Sequence, residues 1–277
     1  MFQPVHRFSA GTVNTGPPEP PPVPHANNDG VSLYYETDGD GEAVLCCGDV
    51  GLGAWQWGWQ HAALAGPYEL IVADTRGCGR SDDPPADCTV ETLADDAVAV
   101  LRDHGVRSAH VVGAGLGGMV ALELARSTGR VRSLTLLGSA LSGDGSDPEP
   151  LFAPPSDEAA LRTSVASALS REFVDQQADA ISQLVEWRAA EDADREAWER
   201  QAAAIEAFAV EKPYEITEPT LVVHGGDDRL CPPARGRELA EELPNAELFE
   251  VAGAGHLVGV EASKVVNDRL RTFLESA

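Results

Sequence analysis

Val111-Val112-Gly113-Ala114-Gly115-Leu116-Gly117-Gly118-Met119-Val120-Ala121-Leu122 reads as a buried strand that runs through a glycine-dense turn into a helix. Glycines cluster where a turn needs positive φ or where no Cβ fits against neighbouring backbone. A strand followed at once by a helix is the unit from which parallel sheets with crossover helices are built.

The same alternation extends in both directions. Short β-branched and apolar runs, most of them closed by glycines, predict strands over Val31–Glu36, Ala43–Cys47, Glu69–Ala73, Ser108–Val112, Ser133–Leu137, Thr220–His224 and Glu247–Val251. Thr92–His104 places Leu93, Ala97, Val98 and Leu101 on one helical face, and Gly117–Arg126 and Ser263–Ser276 also read as helices. The fold class expected is therefore α/β, with a mostly parallel central sheet flanked by helices. Residues 143–218 break the alternation with helical spacing and no convincing strand, which predicts an inserted helical cap. Residues 1–28, with Pro17-Pro18-Glu19-Pro20-Pro21-Pro22, predict an extended, flexible tail. The core is then expected over residues 29–142 and 219–277.

Two parses compete for the glycine turn. Gly113-Ala114-Gly115-Leu116-Gly117-Gly118 satisfies G-x-G-x-x-G, a dinucleotide fingerprint that is expected near the first strand with an acid closing the next one. Here it follows the fourth predicted strand, and the next ends Leu136-Leu137-Gly138-Ser139 without an acid, which argues against dinucleotide binding. Gly113 and Gly117 also match the flanks of G-x-S-x-G, in which a serine sits on a strained strand-to-helix turn.

Four further segments favour the second parse. Cys47-Gly48-Asp49 closes a strand ahead of Trp55 and Trp57; Asp74-Thr75-Arg76-Gly77-Cys78-Gly79-Arg80-Ser81 follows the next strand; His224-Gly225-Gly226-Asp227-Asp228 ends the penultimate one; and Gly255-His256-Leu257 follows the last. In this order the chain resembles the α/β-hydrolase family, esterase- and lactonase-like members included, from about residue 29 to its end. The resemblance implies His256 as catalytic histidine, Asp228 as its acid and Gly115 at the nucleophile position. It implies an oxyanion hole from the backbone N–H groups of Asp49 and Leu116, and substrate contacts from Gly48, Trp55 and Ser139. It implies a small-molecule substrate; no cofactor is expected, and no metal, as His224 and His256 come without a clustered third ligand.

The departures bear on chemistry. Cys47 stands where the family has histidine, Asp49 brings a carboxylate to a hole meant for negative charge, and Gly115 removes the nucleophile. Loss of a catalytic serine costs a triad enzyme on the order of a millionfold in turnover. Glycine at the turn relieves the strain of positive φ, about 1–3 kcal/mol for a residue with Cβ. Ser139, Cys46, Cys47 and Cys231 are the substitute nucleophiles within reach, and none stands at the turn. Three readings stay open: hydrolysis of a small ester or lactone by the His256–Asp228 dyad without serine, ligand binding without catalysis, or a serine hydrolase whose nucleophile has been replaced.

Charge limits the partners. The chain carries 45 Asp and Glu against 20 Lys and Arg, a formal charge of −25 on 277 residues. Binding to nucleic acid or to anionic membrane surfaces, both driven by Lys and Arg, is disfavoured. Eighteen acids against six bases fall in residues 143–218. Only Lys212 and Lys264 are lysines, a balance that resembles a halophile's surface, and self-repulsion of this size predicts a fold favoured by concentrated salt. Hydrophobic residues at 43% exclude global disorder. Five cysteines without a C-x-x-C pair suggest neither a disulfide framework nor a zinc site, and with no signal peptide or membrane-length apolar run a cytoplasmic location is expected.

Overall fold

A computed structural model describes residues 24–83 and 88–277. Its centre is an eight-stranded sheet of β1 (His25–Asn28), β2 (Val31–Asp38), β3 (Glu42–Cys47), β4 (Tyr68–Ala73), β5 (Ala109–Ala114), β6 (Val131–Leu137), β7 (Thr220–Gly225) and β8 (Ala246–Val251), in the order β1-β2-β4-β3-β5-β6-β7-β8. β1 and β2 join antiparallel at one edge, and the six strands from β4 to β8 in that order run parallel. Every residue of β7, and all of β5 up to Ala114, is buried, as a parallel strand covered on both faces requires.

The helices are α1 (Gly58–Leu64), α2 (Val90–Asp103), α3 (Leu116–Ser127), α4 (Glu158–Ala168), α5 (Arg171–Gln176), α6 (Ala178–Glu191), α7 (Arg195–Ala207), α8 (Pro233–Glu242), α9 (Val258–Glu261) and α10 (Ser263–Leu274). α2 starts where the Thr89 side chain accepts the Thr92 amide, and it buries Leu93, Val98, Val100 and Leu101 against the sheet. Each of those larger side chains contributes about 1.5–3 kcal/mol by leaving water. α3 lies closer to the sheet than a side chain permits at Gly117, where an added Cβ would come within 1.9 Å of the Cys47 carbonyl oxygen. Helices α4 to α7 all fall between β6 and β7. Among the described residues no helix is long and apolar enough to cross a membrane.

The seven expected strands are present, with ends shifted by at most two residues. The tail differs from expectation at its C-terminal end: residues 25–28 form β1, paired His25 to Tyr34 through Asn28 to Val31, whereas residues 1–23 lie outside the described residues. β1 is held from behind as well, because Asn28 Nδ2 donates to Asp96 Oδ1 at 2.8 Å. Asp96 also forms a buried ion pair with Arg76 of the loop after β4, with Nε to Oδ2 at 2.6 Å.

Candidate active site

The C-terminal ends of β3, β5, β7 and β8 bring Asp49, Gly115, Asp228 and His256 to one place. Gly115 joins β5 to α3 at φ 47°, ψ −112°, inside the left-handed region that favours glycine. A Cβ built there would stand 1.9 Å from Asp49 Oδ1, so the space of the missing side chain is filled by the Asp49 carboxylate.

That carboxylate is buried and fully engaged. Oδ1 accepts two backbone N–H groups, Leu116 at 3.0 Å and Val50 at 2.7 Å. Oδ2 faces His256 Nε2 at 2.9 Å. The Asp49 amide points elsewhere and donates to Gln56 Oε1 at 3.1 Å. The expected oxyanion pair of Asp49 and Leu116 is therefore corrected: the two amides that converge belong to Leu116 and Val50, and both already hold an anionic oxygen.

His256 Nδ1 meets Asp228 Oδ2 at 2.8 Å. Asp228 is fixed in turn by the amides of Leu230 and Cys231, each 2.9 Å from Oδ1. His224 lies beneath, its Nε2 donating to the Cys231 carbonyl at 2.8 Å and standing 3.3 Å from Asp228 Oδ2. Burial alone would raise the Asp228 pKa, yet His256, His224 and the loop amides outweigh it and hold the carboxyl far below the usual range. Burial would likewise lower His256, but Asp228 and then Asp49 push it up to about 10. Both ring nitrogens then carry protons, each donated to a carboxylate, and in this arrangement the imidazolium is an acid with no lone pair free to act as a base.

The other expected site residues separate. Ser139 is buried at the site, where its Oγ donates to the Gly115 carbonyl at 2.8 Å and steadies the turn. Gly48 and Trp55 do not line the cavity beside Gly115. Gly48 faces the Gln56 side chain, and the Trp55 indole N–H donates to Asp192 Oδ1 at 2.8 Å beyond the end of α6. Of the substitute nucleophiles, the thiols of buried Cys46 and half-buried Cys47 are raised by loss of water around them, Cys47 to about 12, which leaves them protonated.

The cavity beside Gly115 measures about 30 Å³ and is lined by Asp49, Ser139, His256, Met119, Leu151 and Ile205 among others. A water needs about 10–15 Å³ on this scale, so the space admits about two. A second cavity, of about 20 Å³, touches Asp49 and His256 from the other side with Trp57 and Gln60. Among the described residues the buried Trp57 indole N–H finds no partner.

Sequence reasoning missed the residues that tie α6 and α7 to the loop after β3. Gln201 of α7 accepts the Gly51 amide at 2.7 Å and donates to the Arg76 carbonyl at 2.8 Å. Asp192 accepts the Gly53 amide at 3.1 Å and pairs with Arg188, both side chains being 2% exposed. Arg188 also donates to Ser164 Oγ and to the Leu151 carbonyl. Arg188 four residues before Asp192 in a helical stretch was the available signal.

Comparison with known proteins agrees with this architecture. Residues 46–263 match the family model described as alpha/beta hydrolase fold. A protein of Azorhizobium caulinodans named carbamate hydrolase RutD is 30% identical over 262 residues, covering 91% of this chain and 98% of that one. Est816, described as an N-acyl homoserine lactone degrading enzyme, superposes with a TM-score of 0.78 at 30% identity, over 90% of this chain and all of its own. The enol-lactonase from Burkholderia xenovorans LB400 gives 0.81 at 25% identity, over 91% of this chain and 100% of that one.

Proposed function

Because the chain belongs to the α/β-hydrolase fold family, we propose that it hydrolyses a small ester or lactone through the His256–Asp228 dyad, with no serine taking part and residues 143–218 serving as the cap over the site. The observation that carries this reading is the 2.8 Å bond between His256 Nδ1 and an Asp228 whose carboxylate is itself pinned by two amides. In this dyad Nε2 points toward the space beside Gly115 and gives its proton to Asp49 Oδ2, so it can protonate a leaving group, and it takes a proton from an attacking group only once the Asp49 contact opens. The Leu116 and Val50 amides converge where a negative oxygen is held, a place that Asp49 Oδ1 takes at 3.0 Å and 2.7 Å. Relatives named for carbamate hydrolysis and for lactone degradation keep the substrate within compounds that carry a carbonyl bonded to a heteroatom.

One observation favours a second reading, ligand binding without catalysis. Asp49 already satisfies the two amides and His256, so the chain presents a filled site. The third reading, a serine simply exchanged for glycine, leaves unexplained why a carboxylate stands where the side chain would be.

Initial rates on short esters and lactones, measured in concentrated KCl for the parent, His256→Ala and Asp228→Asn, test the proposal. Turnover by the parent that falls about 10²–10⁴-fold in His256→Ala is the expected result. Equal rates in both, or a parent that binds these compounds and turns over none, would overturn it.

A further inference from the structure

We propose that Asp49 is the nucleophile, and that the substrate is a strained four-membered lactone opened at its alkyl carbon. The inference rests on the hydrolase reading and goes further by naming the attacking atom and the bond that breaks.

The geometry replaces each part of the absent serine with a part of one side chain. Oδ2 lies 2.9 Å from His256 Nε2, within the hydrogen-bond distance that an attacking oxygen keeps from its histidine. Oδ1 is anchored by two amides, which fixes the carboxylate plane and directs reactivity to Oδ2. Gly115 is what makes room, since any Cβ there would overlap Oδ1. The carboxylate reaches the turn from the loop after β3, and Asp49 and His256 share the walls of both cavities.

The occupied amides also select the bond. Attack at a carbonyl carbon creates a new oxyanion that needs donors, but the Leu116 and Val50 amides are on Oδ1 and the Asp49 amide is on Gln56. Attack at a saturated carbon creates no oxyanion there. A carboxylate is a weak nucleophile and a carboxylate leaving group a modest one, so the electrophile has to bring its own driving force. A four-membered lactone does so through ring strain, and binding it has to widen a space that holds about two waters.

In the first step Oδ2 bonds to the ring carbon that carries the ring oxygen, and that carbon–oxygen bond breaks. Its electron pair leaves with the oxygen as a carboxylate, giving an aspartyl alkyl ester. Esterification removes one of the two negative charges that hold His256 protonated, and the Nε2 proton passes to solvent. In the second step neutral His256 takes a proton from water as the water oxygen adds to the Asp49 carbonyl carbon. The resulting oxyanion is Oδ1, already between the Leu116 and Val50 amides. Collapse expels the alkoxide, His256 protonates it, and the new Asp49 carboxyl returns its proton to Nε2. The sum is lactone plus water giving a hydroxycarboxylate and one proton.

The test uses the full chain, one enantiomer of a β-lactone bearing a stereocentre at the ring carbon next to oxygen, and heavy-oxygen water. After many turnovers the Asp49 peptide should carry heavy oxygen, and the enzyme-dependent product should be inverted at that carbon. His256→Gln, which keeps a donor toward Oδ2, should accumulate the alkyl ester on Asp49, detected by peptide mass. Asp49→Asn, which keeps the acceptor for both amides, should lose at least about a thousandfold in lactone turnover. Heavy oxygen confined to the product carboxylate, with configuration retained and no adduct, would overturn Asp49 as nucleophile while leaving the hydrolase reading intact. Turnover of esters but not of the lactone would do the same. Absence of turnover on every ester and lactone would bring down both.

Discussion

Asp49 Oδ1 stands 1.9 Å from where a Cβ on Gly115 would be, which makes these two positions mutually exclusive for side chains. Gly115→Ala should destabilise the fold by about 1–3 kcal/mol from positive φ alone, with the overlap added. Asp49→Gly in the same chain should remove the overlap and leave only the backbone strain. A double-mutant cycle in urea therefore gives a favourable coupling between the two substitutions. Additive effects would mean that the carboxylate moves aside freely.

The clamped imidazolium sets a pH dependence. His256 is raised from 6.5 to about 10, so its contribution to stability is complete below pH 6.5 and is lost as pH rises through about 10. His224, raised to about 9 against the effect of its burial by Asp228 and Cys231, adds to the same alkaline limb. Asp228 acts oppositely: lowered from 3.8, it contributes above that value and loses its contribution as pH falls through its depressed folded value. These groups together favour the fold most between pH 3.8 and 6.5. The His256 ring resonances should titrate well into the alkaline range, and a midpoint near 6.5 would show that the two-carboxylate clamp is absent in solution.

Arg188 and Asp192 form a pair taken wholly out of water, and Asp192 also serves Trp55 and Gly53. Arg188→Met leaves that carboxylate buried with its cation gone and should cost about 3–5 kcal/mol. Unfolding in urea measures the loss, and a cost near zero would mean that water reaches the site.

Charge predicts a salt response. With −25 on the chain, the melting temperature should rise between dilute buffer and about 1 M KCl, where screening falls to about 3 Å. A calorimetric scan at both salt levels checks this, and an unchanged midpoint would show that the acidic surface is already relaxed.

Much of the fold was legible because buried parallel strands are continuous apolar runs with glycine ends, as Thr220–Gly225 shows. β1 was not, since a four-residue edge strand that buries only Ala26 carries no periodicity and follows a proline-rich run. At the site, Asp228 and His256 could be placed from chain order, and the structure brings them into contact. Asp49 was legible as an amide donor with a carboxylate near the hole, but not as the group that fills the turn at Gly115. Its side chain acts across the tips of β3 and β5, on a residue 67 positions away, and sequence spacing does not encode such a distance. Trp55 was misplaced for a related reason: its direction is set by Asp192, 137 residues on.

The loop that follows β3 has a mechanical consequence. Within five residues it carries the Asp49 carboxylate and the Gly51 and Gly53 amides held by Gln201 and Asp192. Gly51 also accepts the Ala193 amide at 2.9 Å. Lifting α7 away from the sheet would pull on residue 51, two positions from the carboxylate that fills the turn at Gly115. A substitution in α7 far from His256 should therefore shift the Asp49 carboxylate through residue 51.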